Sequence, residues 1–418
     1  MLNVKKEREL AYVVKIDAIE PIEGKDRVEA AVIGGWKTMV RKGMFEPGDL
    51  GIYIEIDSKV PEKAPFEFLS KYHYKVKTQK FKQFYSQGLL MHPSDFGWTV
   101  DSAQFAGGFL FVKDSEGNAH IPGEENMFLT KQLGITYAVA DDNKRKAPSV
   151  DKYKKMAQRH PELFKKDWAR WMMKREWGKK VMFFFFGKAR DKKGGWPSWV
   201  VKTDEERVQN MPWVFEDPDW YDTEWIATEK IDGTSTTFTL KRGHGLHKNE
   251  YYVCSRNVCF DTPAKADKCF YESNVYLEMS EKYHMRDVLE DLLQKDNRLE
   301  YVTIQGETYG DGIQKRTYSL NKGEHRLMAF NLIFGFKDGS RRCNPIEMTD
   351  VLHHYNIPCV PVVSNLFKMP NNCDTLLLMA TNKSALDGEM REGLVFRDRK
   401  GERSFKAVSN EFLAKYHG

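Results

Sequence analysis

The stretch EKIDGT at Glu229–Thr234 decides how this chain is interpreted. A lysine followed by Ile-Asp-Gly can attack the α-phosphate of a nucleotide and hold the nucleoside monophosphate as a phosphoramidate. A free lysine has a pKa of ~10.4, so Lys230 needs nearby positive charge or burial to become a nucleophile at neutral pH. Without supporting motifs, such a tetrad would more often be an ordinary hairpin end.

Five further motifs follow this stretch in order. They supply an arginine, two glutamates, a phenylalanine and a second lysine. The motifs are Ser255–Asn257, Gln305–Glu307, Ala329–Asn331, Arg391–Phe396 and Ser404–Lys406. Chance agreement at all six places is improbable, so their joint order carries the hypothesis of nucleotidyl transfer.

Each candidate side chain suits one part of that chemistry. Lys406 would grip the α-phosphate and stabilise charge on its non-bridging oxygens. Asp232 and Glu392 offer hard oxygen ligands that would hold Mg²⁺ through waters. Glu307 would accept hydrogen bonds from ribose hydroxyls, and Phe330 would stack on the purine. Taken singly, each acid would be a surface carboxylate and the phenylalanine a core residue.

Three other positions complete the candidate set. Gly233 would let the backbone approach the nucleotide closely. Lys202 or Arg207 would reach the outgoing phosphates. An N-capped amphipathic helix over Lys202–Asn210 explains that stretch equally well.

The sequence pattern divides the chain into three parts. Residues 1–140 show short strands separated by turn signals, which favours a small barrel, and an OB-fold fits the size. Residues 141–195 are predicted to be a basic helical insert and linker. Residues 196–418 alternate strands and helices, which indicates an antiparallel sheet with helices outside, an α+β layout.

Charge is distributed unevenly along the chain. Asn143–Lys202 carries 19 lysines and arginines against 5 acids, in a protein whose formal net charge is +5. Such a segment predicts a polyanionic partner, with a solvated helical face as the alternative. Five lysines also alternate with five aromatic rings over Lys71–Tyr85. This second pattern suits a single strand or nicked duplex, although an exposed edge hairpin would look the same.

A stripe of large side chains lies within the basic segment. Phe164, Trp168, Trp171 and Met172 fall at helical spacing. Such spacing predicts a face that packs on a neighbouring domain.

Composition also restricts the compartment. No stretch approaches the ~18–20 apolar residues that a membrane span needs, and the polar start lacks a signal-peptide core. The six cysteines form no C-x-x-C pair, and none lies in the first 253 residues. A disulfide scaffold or zinc site is therefore disfavoured. We expect reduced thiols and a location in the cytoplasm or a host-cell interior.

The six motifs together resemble those of the covalent nucleotidyltransferases, which include polynucleotide ligases and mRNA capping enzymes. Twelve residues follow Lys406 in this sequence, so we expect no OB domain at the place where capping enzymes and cellular DNA ligases carry one. The β-rich module comes first instead. This order, with the motifs Phe84–Leu89, Lys202–Asn210 and Ser404–Leu413, resembles the OB-first RNA ligases of the Deinococcus and Naegleria type.

The resemblance covers about Ala11–Phe96 and Trp196–Gly418. It implies an N-terminal OB-like β-barrel followed by an antiparallel-sheet nucleotidyltransferase domain with an ATP-grasp-like ligase fold. The helical insert is longer than the family pattern.

The resemblance also implies roles for individual residues. Lys230 would be the adenylated nucleophile, and the main chain of Glu229 would read adenine. Arg256 and Glu307 would contact the ribose and the incoming 5′-phosphate. The implied catalytic residues are Lys230, Glu307, Glu392 and Lys406. The implied ATP or AMP contacts are Glu229, Lys230, Arg256, Glu307, Phe330, Glu392 and Lys406.

One position departs from the family pattern. Many ligases carry a second lysine two positions after the last motif lysine, and here that position is Val408. Phosphate binding would therefore depend more heavily on Lys406.

The implied reaction is a three-step ligation that uses ATP with Mg²⁺ or Mn²⁺. Lys230 takes AMP from ATP, AMP moves to a 5′-phosphate RNA end, and a 3′-OH then attacks and releases AMP. The implied substrate is nicked duplex whose 3′-OH strand is RNA, and we expect a monomer with no membrane partner. The alternatives are a capping-type guanylyltransferase, a DNA ligase, or a non-enzymatic RNA-binding protein on the same scaffold.

Overall fold

The computed structural model describes residues 8–97, 99–100, 112–113, 119–120, 128–138, 163, 166–186, 196–202, 204–245, 247–256, 259–260 and 274–417. Within these ranges, the chain is built from antiparallel sheets with helices packed on them, which confirms the predicted α+β class. The proposed domain limits at residues 140 and 195 stay predictions.

Short strands fill the N-terminal part of the chain, as their β-rich sequence and turn signals predict. These strands are β1 (Ala11–Lys15), β2 (Ala18–Pro21), β3 (Val28–Ile33), β4 (Trp36–Arg41), β5 (Leu50–Ile54), β6 (Ser58–Lys59), β7 (Lys75–Val76), β8 (Gln79–Phe81), β9 (Phe84–Ser86), β10 (Leu89–Met91), β11 (Thr99–Val100), β12 (Val112–Lys113), β13 (Ala119–His120) and β14 (Thr136–Tyr137). Single turns of 3₁₀-helix lie at Glu67–Tyr72 and Pro93–Phe96.

These strands pair into separate small sheets. Their orders are β1-β5-β10, β2-β3-β4, β14-β6-β7, β8-β9 and β11-β12-β13. The described strands therefore form no closed barrel, and the expectation of barrel closure is corrected. The strands are two to six residues long, so each ladder ends at a turn before it can join the next.

Two larger sheets form the C-terminal part. One has the order β22-β15-β23-β24 and the other β18-β17-β16-β19-β20-β21. The strands are β15 (Trp225–Lys230), β16 (Thr234–Lys241), β17 (Glu250–Cys254), β18 (Cys259–Phe260), β19 (Tyr301–Gly310), β20 (His325–Phe336), β21 (Gly339–Arg342), β22 (Val362–Phe367), β23 (Gly393–Asp398) and β24 (Ser404–Val408). Only Ile231–Gly233 separates β15 from β16, so the EKIDGT stretch is the crossing from one sheet to the other.

The α-helices of the described part of the chain are α1 (Asp167–Met173), α2 (Glu176–Phe186), α3 (Pro218–Tyr221), α4 (Val275–Lys282), α5 (Met285–Lys295), α6 (Pro345–His353), α7 (Cys373–Ala380) and the short α8 (Asn410–Phe412), which runs into a π-helical turn at Leu413–His417. Helices α4, α5, α6 and α7 pack on the two large sheets. Along α5 the buried residues recur at the spacing of one helical face: Met285, Val288, Leu289, Leu292 and Leu293. No helix in the described part of the chain is long and apolar enough to cross a bilayer.

One predicted helix is divided in two. The sequence pattern predicts continuous helix over Tyr276–Gln294, but the chain breaks between α4 and α5. His284 adopts a left-handed conformation with φ 48° there. Asn274 caps α4 by accepting hydrogen bonds from the backbone of Tyr276 and Leu277.

Within the basic segment, the described residues 166–186 form a short helical hairpin of α1 and α2. Ala169 and Met182 are buried between the helices, and Met172 packs against them. Trp168 and Trp171, however, are 50% and 49% exposed. The predicted packing stripe is therefore wrong for these two tryptophans, and Phe164 lies outside the described residues.

The end of β24 is buried against the N-terminal strands. Val408 is 1% exposed and Leu413 is 4% exposed, in one apolar cluster with Tyr12, Ile16 and Trp36. A lysine at Val408 would be desolvated in this cluster, so the departure from the family pattern has a packing reason.

We expect Val408→Lys to lower the free energy of unfolding by about 3–5 kcal/mol, because it places an unpaired charge in an apolar cluster. Val408→Ala is the matched control and should cost about 2 kcal/mol through lost packing alone. Denaturant titrations of both variants measure the difference. Equal losses in the two variants would contradict the desolvation argument.

Candidate active site

The predicted nucleophile lies at the junction of the two large sheets. Lys230 is the last residue of β15 and pairs with Gly393, the first residue of β23. Glu392 directly precedes that strand, so the strand register brings its carboxylate to the lysine. The Nζ atom of Lys230 lies 2.7 Å from Oε1 of Glu392 and donates a hydrogen bond of 2.8 Å to Oε2.

Three carboxylates, from Asp232, Glu307 and Glu392, surround this single ammonium. Burial alone would lower the pKa of Lys230, but Glu392, Glu307 and Asp232 outweigh it and raise that pKa. Burial raises the pKa of Glu307 to about 8, with Lys230 opposing and the other two carboxylates adding to the rise. Lys230 is therefore an ammonium in this arrangement, and a further cation is needed before it can attack.

The donor set fits a hard divalent cation. The Oδ2 atom of Asp232 is buried without a hydrogen-bond partner among the described residues. Those residues include no cluster of three acidic, cysteine or histidine side chains that would bind a metal directly. Carboxylate oxygens suit Mg²⁺ or Mn²⁺ held through waters, and the assignment of Asp232 and Glu392 to such an ion stays a prediction.

Two residues that the sequence analysis missed hold the turn after the nucleophile. The backbone N–H of Asp232 donates to the hydroxyl of Tyr318 at 2.7 Å, and Gln314 Nε2 donates to the carbonyl of Gly233 at 3.1 Å. A Cβ atom on Gly233 would lie 2.3 Å from the carbonyl oxygen of Thr308. Glycine is required here by this close backbone approach.

Glu229 is fixed by contacts to neighbouring loops. Its carboxylate accepts hydrogen bonds from the hydroxyl of Ser384 and, at 2.8 Å, from the backbone N–H of Ala385. Its own backbone N–H donates to the carbonyl of Pro361 at 2.9 Å. These contacts hold the strand beside the nucleophile, and the adenine-reading role of its main chain stays a prediction.

A cluster of apolar side chains lies next to the end of β15. Phe330 is half-buried and packs in a cluster with Ile231, Tyr318 and Val360. This position next to Ile231 is compatible with the predicted contact to a purine base, which stays a prediction.

The second predicted lysine lies on the same face of the sheet as the nucleophile. Lys406 pairs with Val395, which pairs with Thr228, two residues before Lys230. Directly paired residues share a sheet face, and so do residues two apart along a strand. The structure therefore brings the two predicted lysines together.

A cationic pocket surrounds Lys406. Burial lowers the pKa of Lys406 to about 8, with Asp204 opposing and Arg8, Arg207 and Lys230 adding to the fall. Arg256 joins this pocket through its own ion pair with Asp204 at 2.8 Å. Asn257, from the same predicted motif as Arg256, lies outside the described residues.

The predicted amphipathic helix over Lys202–Asn210 is wrong, because among the described residues of this stretch only Val208–Asn210 is helical, as a 3₁₀ turn. The alternative, a contact of Lys202 or Arg207 with the outgoing phosphates, stays a prediction. The backbone N–H of Lys406 donates to the carbonyl of Glu206 at 2.8 Å. Arg207 is buried beside β24 and pairs with Asp57 at 3.0 Å, whereas Lys202 is exposed.

Asp204 and Arg8 are functional candidates that the sequence analysis missed. Asp204 lies within the Lys202–Asn210 stretch, whose lysine and arginine alone were considered there. Arg8 lies 196 positions earlier in the chain, and no local pattern marks it. His417 was also missed, and its Nε2 atom lies 3.4 Å from Oδ1 of Asp232.

The comparisons with known proteins agree with this geometry. Residues 223–417 match the RNA ligase family model, and residues 10–93 match an OB-fold domain model. No curated protein matches the chain.

Solved structures of Naegleria gruberi RNA ligase resemble the whole chain. An apo variant has a TM-score of 0.67 at 24% identity and covers 98% of both chains. A variant with ATP and Mn has a TM-score of 0.66 at 24% identity, again with 98% of both chains covered. A variant with AMP and Mn has the same score and identity, and the match covers 98% of this chain and 99% of that chain. At this identity the structural likeness shows the fold. The RNA ligase family model therefore matches residues 223–417, and the residues that match an OB-fold domain model precede them in the same chain.

Proposed function

We propose that this protein is an ATP-dependent RNA ligase that joins a 3′-OH end to a 5′-phosphate end through a lysyl-AMP intermediate. The observation that carries the proposal is the position of Lys230 at the sheet junction, bonded to Glu392 and on the same sheet face as Lys406. One cleft thus offers a nucleophile, an acidic side for a cation and a basic side for phosphate.

The first step transfers AMP to Lys230. The lysine nitrogen attacks the α-phosphorus of ATP, a P–N bond forms, and the bond to the leaving pyrophosphate breaks. Lys230 must first lose a proton, and Glu392 at 2.7 Å is the acceptor placed to receive it. A bound Mg²⁺ or Mn²⁺ near Asp232 would supply positive charge that opposes the acidic side chains and favours the neutral amine.

The basic side of the cleft stabilises the phosphates. Lys406 would donate to the α-phosphate oxygens as negative charge gathers on them. Arg256 would contact the ribose or the incoming 5′-phosphate, and Arg207 would meet the outgoing pyrophosphate. The exposed Lys202 has a weaker claim to that contact because Arg207 is buried and forms a backbone bridge with Lys406.

The later steps use the adenylated end of the RNA. AMP moves from Lys230 to the 5′-phosphate, and the 3′-OH attacks that phosphate and releases AMP. The Naegleria gruberi structures with ATP and Mn, or with AMP and Mn, support the choice of nucleotide and metal.

The proposed substrate is a nick in a duplex whose 3′-OH strand is RNA, bound by a monomer in a reducing compartment. In the N-terminal part, Lys80 lies 5.2 Å from the ring centre of Tyr85 on the β8–β9 hairpin. In the basic hairpin, Arg175 stacks 3.7 Å from the ring centre of Trp171. Cations beside partly exposed rings suit phosphates and bases that flank a break.

Lys230→Ala should abolish the labelled protein–AMP adduct formed from ATP, because it removes the attacking nitrogen. Lys241→Ala is the matched control, since its ammonium lies over the Trp199 ring at the far end of the next strand, and it should label like the wild type. Adduct in the Lys230 variant would remove the assignment.

The same labelling assay separates the alternatives. An adduct formed from GTP instead of ATP would indicate a guanylyltransferase, and no adduct in the wild type would favour a non-enzymatic RNA-binding protein. A chase of the labelled protein onto nicked duplexes with RNA or DNA 3′-OH strands tests the RNA requirement.

ATP affinity should fall as the pH rises above about 8, by up to about tenfold per pH unit, because Lys406 loses its proton there. Lys406→Arg keeps its charge and should not show this fall. Calorimetric titration of ATP into both proteins, each carrying Lys230→Ala to prevent reaction, gives the two pH profiles. Parallel profiles would show that Lys406 does not titrate against the nucleotide.

Removing the rings of Trp171 and Trp177, which are 49% and 54% exposed, should raise the KM for nicked RNA several-fold and leave adduct formation unchanged. Base stacking on a ring contributes roughly 1–3 kcal/mol. Trp213→Ala, at a 45% exposed tryptophan elsewhere, is the matched control. An equal effect of the control variant would show that the hairpin has no special part in RNA binding.

A further inference from the structure

Asp204 occupies the centre of the cationic pocket. Its Oδ1 atom accepts a hydrogen bond from Lys406 Nζ at 2.9 Å. Its Oδ2 atom accepts from Arg256 Nη2 at 2.8 Å and from Arg8 Nε at 3.1 Å. One carboxylate therefore binds three cations from three distant parts of the chain.

The charges in this pocket do not balance. Arg8 has a second carboxylate, Glu55, at 3.3 Å, and Arg256 lies 5.0 Å from the ring centre of Tyr137. Lys406 is 12% exposed and Asp204 13% exposed. Burial alone would raise the pKa of Asp204, but Lys406, Arg8 and Arg256 hold it well below its usual range. The carboxylate is thus an anion held in a surplus of positive charge.

A phosphate group presents the same chemistry to these cations. Lysine and arginine bind carboxylate and phosphate oxygens through the same charge-assisted hydrogen bonds. If Lys406 binds the α-phosphate, as the proposed function requires, the phosphate accepts another hydrogen of the same ammonium that donates to Asp204, and the two anions come close together. The two anions also repel each other, so they cannot share the lysine without cost.

We propose that Asp204 is an internal counter-ion that fills the phosphate site of the nucleotide-free protein and is displaced from Lys406 by the α-phosphate of ATP. This inference rests on the proposed function, in which Lys406 binds that phosphate. Displacement leaves Arg8 paired with Glu55, so Lys406 is the cation that changes partner. The counter-ion keeps the buried lysine neutralised between turnovers and lowers the apparent affinity for ATP.

The competing interpretation is a purely structural ion pair. In that case the Arg8–Asp204 pair only holds the N-terminal segment against the catalytic domain, and the pair persists when ATP binds. The two interpretations predict opposite changes in ATP affinity for one variant, so they can be separated.

The experiment compares ATP binding by calorimetry in proteins that carry Lys230→Ala, with Mg²⁺ present. Asp204→Asn should tighten ATP binding by up to about tenfold, because it removes the competing anion. Asp204→Glu restores the charge and should bind close to the parent. Arg8→Ala, the matched control, removes one cation of the pocket and should weaken binding.

A purely structural ion pair would give different ATP affinities in these variants. Weaker ATP binding in both Asp204→Asn and Arg8→Ala, or no change in Asp204→Asn, would overturn the proposal. If Asp204→Asn fails to fold, a crystal structure of the Lys230→Ala protein with ATP decides the matter. Asp204 should then lie more than ~4 Å from Lys406, beyond ion-pair distance, and an intact pair would overturn the proposal.

Failure of this inference is distinct from failure of the proposed function. Wild-type protein that forms the AMP adduct, together with no tightening in Asp204→Asn, rejects the counter-ion alone. Wild-type protein that forms no adduct, with a parent that binds no ATP, rejects both.

Discussion

The rest of the site depends on the buried hydrogen-bonded pair of Lys230 and Glu392. The acidic side chains around the amine, Glu392 first, keep the proton on its nitrogen despite burial, while burial raises the pKa of the neighbouring Glu307 to about 8. A lysine in an apolar pocket would lose its proton spontaneously. In the proposed function, the surroundings of Lys230 hold it inactive, and its reactivity depends on added positive charge. The start of the proposed chemistry would then be coupled to the arrival of a metal and a nucleotide.

The fold makes this arrangement possible by placing the nucleophile between two sheets. Only Ile231–Gly233 separates β15 of one sheet from β16 of the other. Glu392 directly precedes β23 of the first sheet, and Glu307 lies in β19 of the second sheet. Both sheets are packed over buried apolar clusters, so the carboxylates cannot spread apart to relieve their repulsion.

Much of this organisation is predictable from the sequence, because local patterns mark it. The strand that ends at Lys230 is predicted by its own residues, and the order of the motifs places Glu307, Glu392 and Lys406 in one site. The sequence does not reveal which charges face each other. Arg8 and Asp204 are 196 positions apart and meet only in the tertiary fold. Arg8 lies in no recognised motif, and the Lys202–Asn210 stretch does not show that Asp204 would pair with it.

Other misses have a local cause. The helix predicted through His284 breaks because a single backbone conformation there overrides helix propensity. The described N-terminal strands form separate small sheets instead of a closed barrel. An alternating sequence pattern predicts a strand but does not show which other strand it pairs with. The half-exposed tryptophans of the basic hairpin show that helical spacing indicates a common face but not what that face meets.

The apolar cluster that joins Val408 and Leu413 to Tyr12 and Trp36 also affects how the protein folds during synthesis. A ribosome makes these two groups about 400 residues apart, so the earlier group waits with its apolar surface uncovered for most of translation. Contacts this distant in sequence slow the search for the native state. The strand that bears Lys406 is among the last to find its place, and a nascent chain that has not reached it lacks both the cover for that surface and the phosphate-binding amine.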